Sequence, residues 1–267
     1  MLDEVVAIRF DRRMEVGRTC PLLLVAQRAD GREEELVAKF SKGADIGAGG
    51  LIREALCAML ASDLGLPVPE PFLVRVDAEF RDAVRNVNPE VAALLDRSLA
   101  VGFGSRKLIS GFSTWTQGRS IPKSMQWAAA EIFAFDSLIQ NPDRRPERPN
   151  LFVRGESFAI FDHELALITE GFDRLGWRPP WEVGALHTAG QPDAHVFAAP
   201  LKGKALNLDR LIGAWESITN ERLESYRNAL PPEWAEATET AAVAIRFIMQ
   251  LRDNIRPAIQ EVMRVLT

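Results

Sequence analysis

One stretch of thirty residues, 135–164, constrains the fold of this chain more than any other part of the sequence. It reads FDSLIQNPDRRPERPNLFVRGESFAIFDHE, so a helix end, a proline-rich loop and two short apolar runs follow one another directly. Pro142 disfavours helical backbone in the residue before it, so a loop must begin there. The apolar runs at 151–154 and 158–161, with a turn at Gly155-Glu156 between them, predict a β-hairpin.

Three polar residues in this stretch have the chemistry of a phosphoryl-transfer site. Asp143 and Asn150 are seven residues apart, and Asp162 follows Asn150 by twelve residues, so the hairpin would return Asp162 to the side of Asn150. An acid that accepts or orients an acceptor hydroxyl, with an amide and a carboxylate that ligate Mg²⁺, is what transfer from Mg-ATP requires. The alternative is an ordinary surface loop followed by a helix cap.

A lysine and a glutamate upstream complete this set. The runs 22–27 and 35–40 flank an Asp-Gly turn and predict a hairpin. Lys39 lies between apolar neighbours on the second strand, where its ammonium costs free energy unless it reaches an anion or water. Glu54 lies in the first turns of a helix predicted over 51–64, from apolar residues at helical spacing. Taken singly, each residue is more typical of a solvated surface.

A weaker signal precedes the first hairpin. Gly17, Arg18 and Thr19 stand where a turn could cover phosphates with backbone N–H groups. With one glycine instead of several, an ordinary strand connection is an equal alternative.

Composition narrows the class of protein and its partners. The 267 residues carry a net charge of −5, which argues against general affinity for nucleic acid or anionic membranes. With only two cysteines, the chain fits a reducing compartment. The two cysteines and three histidines lack metal-ligand spacing, which argues against a zinc site. No secretory signal and no run of eighteen apolar residues is found, so we expect a cytoplasmic protein without a membrane partner.

Six segments together resemble the HipA-like kinases, distant relatives of protein kinases and phosphoinositide kinases. The resemblance covers roughly residues 5–170 and rests on GRTCPLLL, LVAKF, EALCAMLASDLGLPVPEP, FGS, NPDRRPERPNLF and FDHELAL. It implies an α+β, two-lobed protein-kinase-like fold, with a β-rich N-lobe over 1–110 and a mainly helical C-lobe over 111–267. It also implies ATP between the lobes with Mg²⁺ beside it.

The resemblance assigns a role to each candidate residue. Lys39 would hold the phosphates with the help of Glu54, and Asp143 would be the catalytic acid/base. Asn150 and Asp162 would hold the metal. In kinase folds the linker between lobes offers backbone groups to adenine, and here that linker would be Lys107, Leu108 and Ile109. The Asp-to-Asn spacing of seven exceeds the five of ordinary protein kinases, and FDHE replaces DFG.

These inferences together predict an ATP- and Mg²⁺-dependent phosphotransferase that acts on a protein Ser/Thr or on itself. Two alternatives stay open at this point. The same fold could serve a nucleotide-binding regulatory protein with little turnover, or an enzyme that transfers AMP.

Overall fold

The computed structural model describes residues 2–14, 20–168 and 178–267. Strands and helices are both abundant, so the predicted mixed α+β class is confirmed. The chain divides into two compact units, each of which is considered by itself. The barrel unit comprises Met1–Met59, Pro69–Ile109 and Ser225–Ala242, and the helical unit comprises Leu60–Val68, Ser110–Glu224 and Val243–Thr267.

Five strands of the barrel unit close into a β-barrel in the order β1-β2-β3-β5-β4. Their bounds are Asp3–Arg13 (β1), Leu22–Gln27 (β2), Glu33–Lys39 (β3), Pro71–Arg75 (β4) and Val101–Arg106 (β5). β1 and β4 run parallel, and the other neighbouring pairs are antiparallel. The predicted first hairpin is confirmed, because β2 pairs with β3 in the register Leu24↔Leu36. Gly31 has a φ of 87° in its turn, which a glycine adopts without strain.

Apolar side chains from alternate strand positions fill the barrel. Leu22, Leu24 and Leu36 are fully buried there, as is Phe72. Three helices accompany the strands: α1 (Gly47–Asp63), α2 (Ala78–Val87) and α3 (Pro89–Asp96).

The helical spacing of Val84, Val87, Val91 and Leu94 predicts one short helical segment over 82–95, but the structure has two helices there. Asn88 has extended backbone and its side chain accepts a hydrogen bond from the Val91 N–H at 3.1 Å. The next residue, Pro89, occupies the first turn of α3. A helix therefore ends before this Asn-Pro pair and a capped one begins after it.

The helical unit contains a small three-stranded antiparallel sheet beside a buried helix. The helix is α4 (Gln126–Leu138), and the strands are β6 (Ser113–Thr114), β7 (Leu151–Arg154) and β8 (Ser157–Ile160). The hairpin predicted over 151–161 is confirmed, with Leu151 paired to Ile160. Trp115 packs against Phe158 and Phe197 with ring centroids 5.5 and 5.6 Å apart, which anchors the sheet in the apolar interior.

The described residues after β8 include the helices α5 (Ala198–Leu201), α6 (Asp209–Glu216), α7 (Asn220–Asn228), α8 (Thr238–Asp253) and α9 (Ile255–Leu266). The sequence predicts one helix over 233–251, but a 3₁₀ segment, Pro232–Ala237, precedes α8. The sequence offers Thr219 as the cap of a helix over 220–228, and the structure confirms it, because the Thr219 hydroxyl accepts the Arg222 N–H at 3.1 Å. Within the ranges given above, every helix is too short or too polar to cross a bilayer.

Candidate active site

Lys39 and Glu54 meet as an ion pair in the barrel unit. The Lys39 ammonium lies 3.1 Å from a Glu54 carboxylate oxygen, and the two side chains are only 11% and 4% exposed. β3 carries the lysine at its last residue, and α1 carries the glutamate in its first half. A buried lysine or glutamate alone is costly, and the ion pair offsets part of that cost for both residues. Lys39 and Glu54 are fifteen positions apart in the sequence and are in direct contact in the structure.

Gly102 on β5 leaves room for the backbone at the lysine. A β-carbon at Gly102 would lie 2.5 Å from the Lys39 carbonyl oxygen and 2.7 Å from the Phe40 ring. Neither distance is tolerable for a carbon atom, so only glycine permits this approach of β5 to β3. The close strand contact holds the end of β3, and therefore the base of the Lys39 side chain, in place.

The remaining candidate nucleotide-binding residues of the barrel unit are placed as follows. Gly17, Arg18 and Thr19 lie outside the described residues. Lys107 follows β5, where its N–H donates to the Glu35 carbonyl at 2.8 Å and its ammonium lies 3.1 Å from the Glu35 carboxylate. Leu108 is partly buried and Ile109 is 63% exposed. The Lys107 N–H is therefore engaged by the barrel itself.

Asp143 and Asn150 are joined directly in the helical unit. The Asn150 side-chain amide donates to an Asp143 carboxylate oxygen at 3.1 Å and to the Asp143 backbone carbonyl at 3.2 Å. The Asp143 N–H donates in turn to the side-chain oxygen of Asn141 at 3.2 Å. Because the amide nitrogen of Asn150 faces Asp143, its amide oxygen faces away and can ligate a cation. The seven-residue spacing is thus compatible with a direct Asp–Asn contact.

The hairpin β7–β8 brings Asp162 back beside Asn150. The Phe161 N–H donates to the Asn150 carbonyl at 3.3 Å, so the residue after Phe161 leaves the hairpin next to Asn150. Asn150 and Asp162 both have positive φ, 41° and 65°. Such backbone is uncommon outside glycine, although Asn and Asp adopt it more readily than other residues, and it is concentrated at functional sites in proteins. An oxygen of the Asp162 carboxylate also lies within 4.8 Å of one from Glu164.

Arg144 is the structural centre of this loop. Its side chain is fully buried. One edge of the guanidinium pairs with Asp136, with Nε 2.5 Å from Oδ2 and Nη2 3.2 Å from Oδ1. The other donors reach the backbone carbonyls of Asn150 and Phe161, the latter at 3.3 Å, and the His163 ring nitrogen at 2.8 Å. Arg144 therefore ties the loop that carries Asp143 to both ends of the hairpin that carries Asp162.

Asp136 is a buried carboxylate on α4 that holds Arg144. It also accepts hydrogen bonds from the Asn141 side chain at 2.8 Å and from His195 at 3.1 Å. Burial alone would raise the pKa of Asp136, but the charge of Arg144 and the hydrogen bonds from His195 and Arg144 hold that pKa well below its usual range. Asp136 is therefore ionised near neutral pH.

The sequence carries a signal for Asp136. Apolar residues around most of the segment 125–140 predict a helix buried on most of its circumference, and an aspartate inside such a helix needs a cationic or donor partner. The partner was available eight residues later in the Asp-Arg pair. His195 carried no comparable signal, because it lies 59 residues from Asp136 in a loop-rich segment.

Comparison with known proteins identifies the relationship. A family model described as HipA-like kinase matches residues 8–175, more than half of the chain. The chain belongs to the HipA-like kinase family. The matched region contains the Lys39–Glu54 pair, the Asp143–Asn150 contact and Asp162. Family membership supports a kinase-type function, and the resemblance inferred from the sequence is confirmed.

This HipA-like kinase also has a structural neighbour of known fold. The crystal structure of a proinflammatory kinase from Helicobacter pylori, CtkA, aligns with 99% of the chain over 99% of its own length, with a TM-score of 0.51 and 12% sequence identity. At such low identity the likeness concerns the fold alone. No curated protein sequence matches the chain.

Proposed function

We propose that this HipA-like kinase is an ATP- and Mg²⁺-dependent phosphotransferase that acts on a protein Ser/Thr hydroxyl or on itself. The observation that carries the proposal is the direct contact of the Asn150 amide with the Asp143 carboxylate, at 3.1 Å. It lies in a loop that buried Arg144 locks to the hairpin preceding Asp162. An acid and two oxygen ligands in one rigid arrangement are what phosphoryl transfer needs from a protein.

The proposal gives Asp143 the role of orienting the acceptor hydroxyl and accepting its proton. Asp143 is partly buried and held on one side by Asn150, so its carboxylate is restrained in direction. Such restraint favours reaction because the acceptor oxygen needs one defined approach to phosphorus. Arg148, four ångströms from the Asp143 carboxylate at its nearest nitrogen, keeps a positive charge beside it.

Asn150 and Asp162 would hold the magnesium ion. Their amide and carboxylate oxygens are the hard donors that Mg²⁺ prefers, and Arg144 holds the backbone carbonyls of Asn150 and of Phe161, the residue before Asp162. When bound, Mg²⁺ neutralises charge on the phosphates and so makes the γ-phosphoryl group easier to transfer. Lys39, paired with Glu54, would supply a fixed ammonium for the phosphates of the same nucleotide.

The proposal extends to the architecture. Family membership and the fold likeness to the Helicobacter kinase support a two-lobed kinase arrangement. The barrel unit would serve as the small lobe, which handles the nucleotide, and the helical unit as the larger lobe, which handles acceptor and metal.

The test is transfer of ³²P from γ-labelled ATP, with Mg²⁺, to casein-type protein mixtures and to the chain itself. Asp143→Ala should reduce transfer by roughly 10²- to 10⁴-fold, the usual contribution of a positioned acid/base. Glu147→Gln is the matched control, because Glu147 is an exposed acid of the same loop. Equal incorporation in wild type and Asp143→Ala would refute the role of Asp143.

Intact mass after incubation with ATP separates the alternatives left open by the sequence. A phosphate adduct supports the proposal, and an AMP adduct would replace it by nucleotidyl transfer. Thermal stabilisation by ATP without any adduct or transfer would indicate a nucleotide-binding regulatory protein instead.

A further inference from the structure

We infer that His195 is a positioning residue for the proposed phosphotransfer, acting through Asp136 and Arg144 on the loop that carries Asn150. The inference rests on the proposed function for its catalytic consequence. The contacts of His195 do not depend on that function.

His195 uses both ring nitrogens in the buried interior of the helical unit. Its Nδ1 accepts the Phe197 N–H at 3.0 Å. Since a backbone N–H can only donate, Nδ1 carries no proton, and the proton of the neutral ring is on Nε2. Nε2 lies 3.1 Å from an Asp136 carboxylate oxygen and therefore donates to it. The tautomer of His195 is thus set by its two partners.

The Asp136 contact continues to the proposed metal ligands. The oxygen that accepts from His195, Oδ2, also accepts from Nε of Arg144 at 2.5 Å. The guanidinium of Arg144 then donates to the Asn150 and Phe161 carbonyls. Rotation of the Asp136 carboxylate would move Arg144, and with it the backbone of Asn150. His195 and the Asn141 side chain, on opposite oxygens of Asp136, prevent that rotation.

The segment around His195 makes a second contact with the same arginine. The Val196 N–H donates to the Arg144 backbone carbonyl at 2.8 Å. The 195–197 segment therefore contacts Arg144 directly by backbone and indirectly through Asp136. Phe133 stands edge-on to the imidazole, with ring centroids 5.0 Å apart, and excludes water from this network.

Protonation of His195 would break this arrangement. A proton on Nδ1 would confront the Phe197 N–H, donor against donor, and the cation would form beside both Asp136 and Arg144. Burial lowers the pKa of His195 below 6.5, with the Asp136 contact opposing that shift and Arg144 reinforcing it. His195 is therefore neutral near pH 7 and becomes charged only in more acidic solution.

Two conservative variants separate the two contacts. His195→Gln places an amide donor near the position of Nε2 and so keeps the bond to Asp136, whereas His195→Asn places its amide oxygen near Nδ1 and keeps the bond to Phe197. We expect His195→Asn to lower the rate of phosphate transfer about 10- to 100-fold, as loss of an outer-sphere contact does at ligand-bearing sites. His195→Gln should stay within a few-fold of wild type.

Hydrogen exchange gives a measure that does not depend on activity. The Phe161 N–H donates to the Asn150 carbonyl, so its exchange rate reports how firmly that carbonyl is held. Exchange at Phe161 should accelerate in His195→Asn and remain slow in His195→Gln. In the pH profile of transfer, the acidic decline due to His195 should be present in wild type and absent in His195→Gln.

Three results would overturn the inference. They are equal losses of the transfer rate in both variants, an unchanged transfer rate in His195→Asn, or hydrogen exchange that becomes faster at Phe197 but not at Phe161. If His195→Asn melts far below wild type, the pH profile of phosphate transfer in His195→Gln decides whether the inference holds. If wild type transfers no phosphate at all, the proposed function fails, and exchange at Phe161 alone decides whether His195 holds this loop.

Discussion

Replacement of Arg144 by methionine tests whether one buried guanidinium holds the candidate active site together. Met has similar length and apolar volume but no charge and no donors. Arg144→Met would leave the Asp136 carboxylate buried without its cation, and would remove the guanidinium hydrogen bonds from the Asn150 and Phe161 carbonyls. Removing one partner of a buried ion pair costs about 3–5 kcal/mol, and that cost includes most of the lost hydrogen bonding. We therefore expect a loss of this size in the free energy of unfolding.

The pH dependence follows from Asp136. Its folded pKa is lower than its unfolded value, so its favourable contribution in wild type is present above the unfolded pKa, near 3.8, and is lost as the pH falls through the folded pKa. In Arg144→Met the main cause of that low pKa is gone. Without the guanidinium, burial raises the pKa of Asp136 above its unfolded value, so the difference in stability between the two proteins should be largest at pH 7 and shrink as the pH falls toward 4.

The assay is urea unfolding of the full chain, followed by far-UV circular dichroism at pH 4, 5, 6 and 7. Arg256→Met is the control, because Arg256 pairs with Glu216 on the surface and its side chain is 68% exposed. That variant should lose less than about 1 kcal/mol. The double variant Asp136→Asn/Arg144→Met should be more stable than Arg144→Met alone. The structural role of Arg144 would be refuted if Arg144→Met lost no more stability than Arg256→Met, or if the double variant were less stable than Arg144→Met.

Three further predictions concern single positions. Gly102→Ala should destabilise the barrel unit by about 1–3 kcal/mol, since the new carbon would lie 2.5 Å from the Lys39 carbonyl oxygen. Gly213→Ala is the control, because a β-carbon there would have no atom within 4 Å and alanine favours a helix. Scanning calorimetry should show a lower melting temperature for Gly102→Ala and a higher one for Gly213→Ala. Lys39→Met should weaken ATP binding at least tenfold by titration calorimetry; unchanged affinity would remove Lys39 from the site. Asn150→Gly should abolish most ³²P transfer. The melting temperature should stay nearly unchanged, because glycine adopts a φ of 41° without strain. Retained transfer would contradict metal ligation by Asn150.

The locally encoded elements could be predicted from the sequence with good accuracy. The hairpin of β2 and β3 follows from two apolar runs around an Asp-Gly turn, and the hairpin of β7 and β8 from two runs around Gly155-Glu156. In both, strand and turn are neighbours in the chain, so residue pattern and turn geometry suffice. The errors lie where local capping competes with a longer pattern, as at Asn88, where the Asn-Pro pair divides one expected helix into two.

For the candidate site as well, the sequence indicates some features and the structure adds others. The sequence alone indicated Lys39, Glu54, Asp143, Asn150 and Asp162, because each is chemically suited to a phosphate or a metal and the order along the chain is informative. The structure adds that Lys39 pairs with Glu54 and that Asn150 contacts Asp143. Their catalytic roles remain predictions.

Only the tertiary structure could reveal the buried network beneath that loop. Asp136, Arg144 and His195 belong to a helix, a loop and a distant segment, and each is individually an unremarkable polar residue in the sequence. They become a unit because burial removes water from all three at once, and each charge or ring nitrogen then needs a partner from another part of the chain. Spacing along a sequence specifies hairpins and helices, but the satisfaction of buried polar groups depends on which segments the fold packs together.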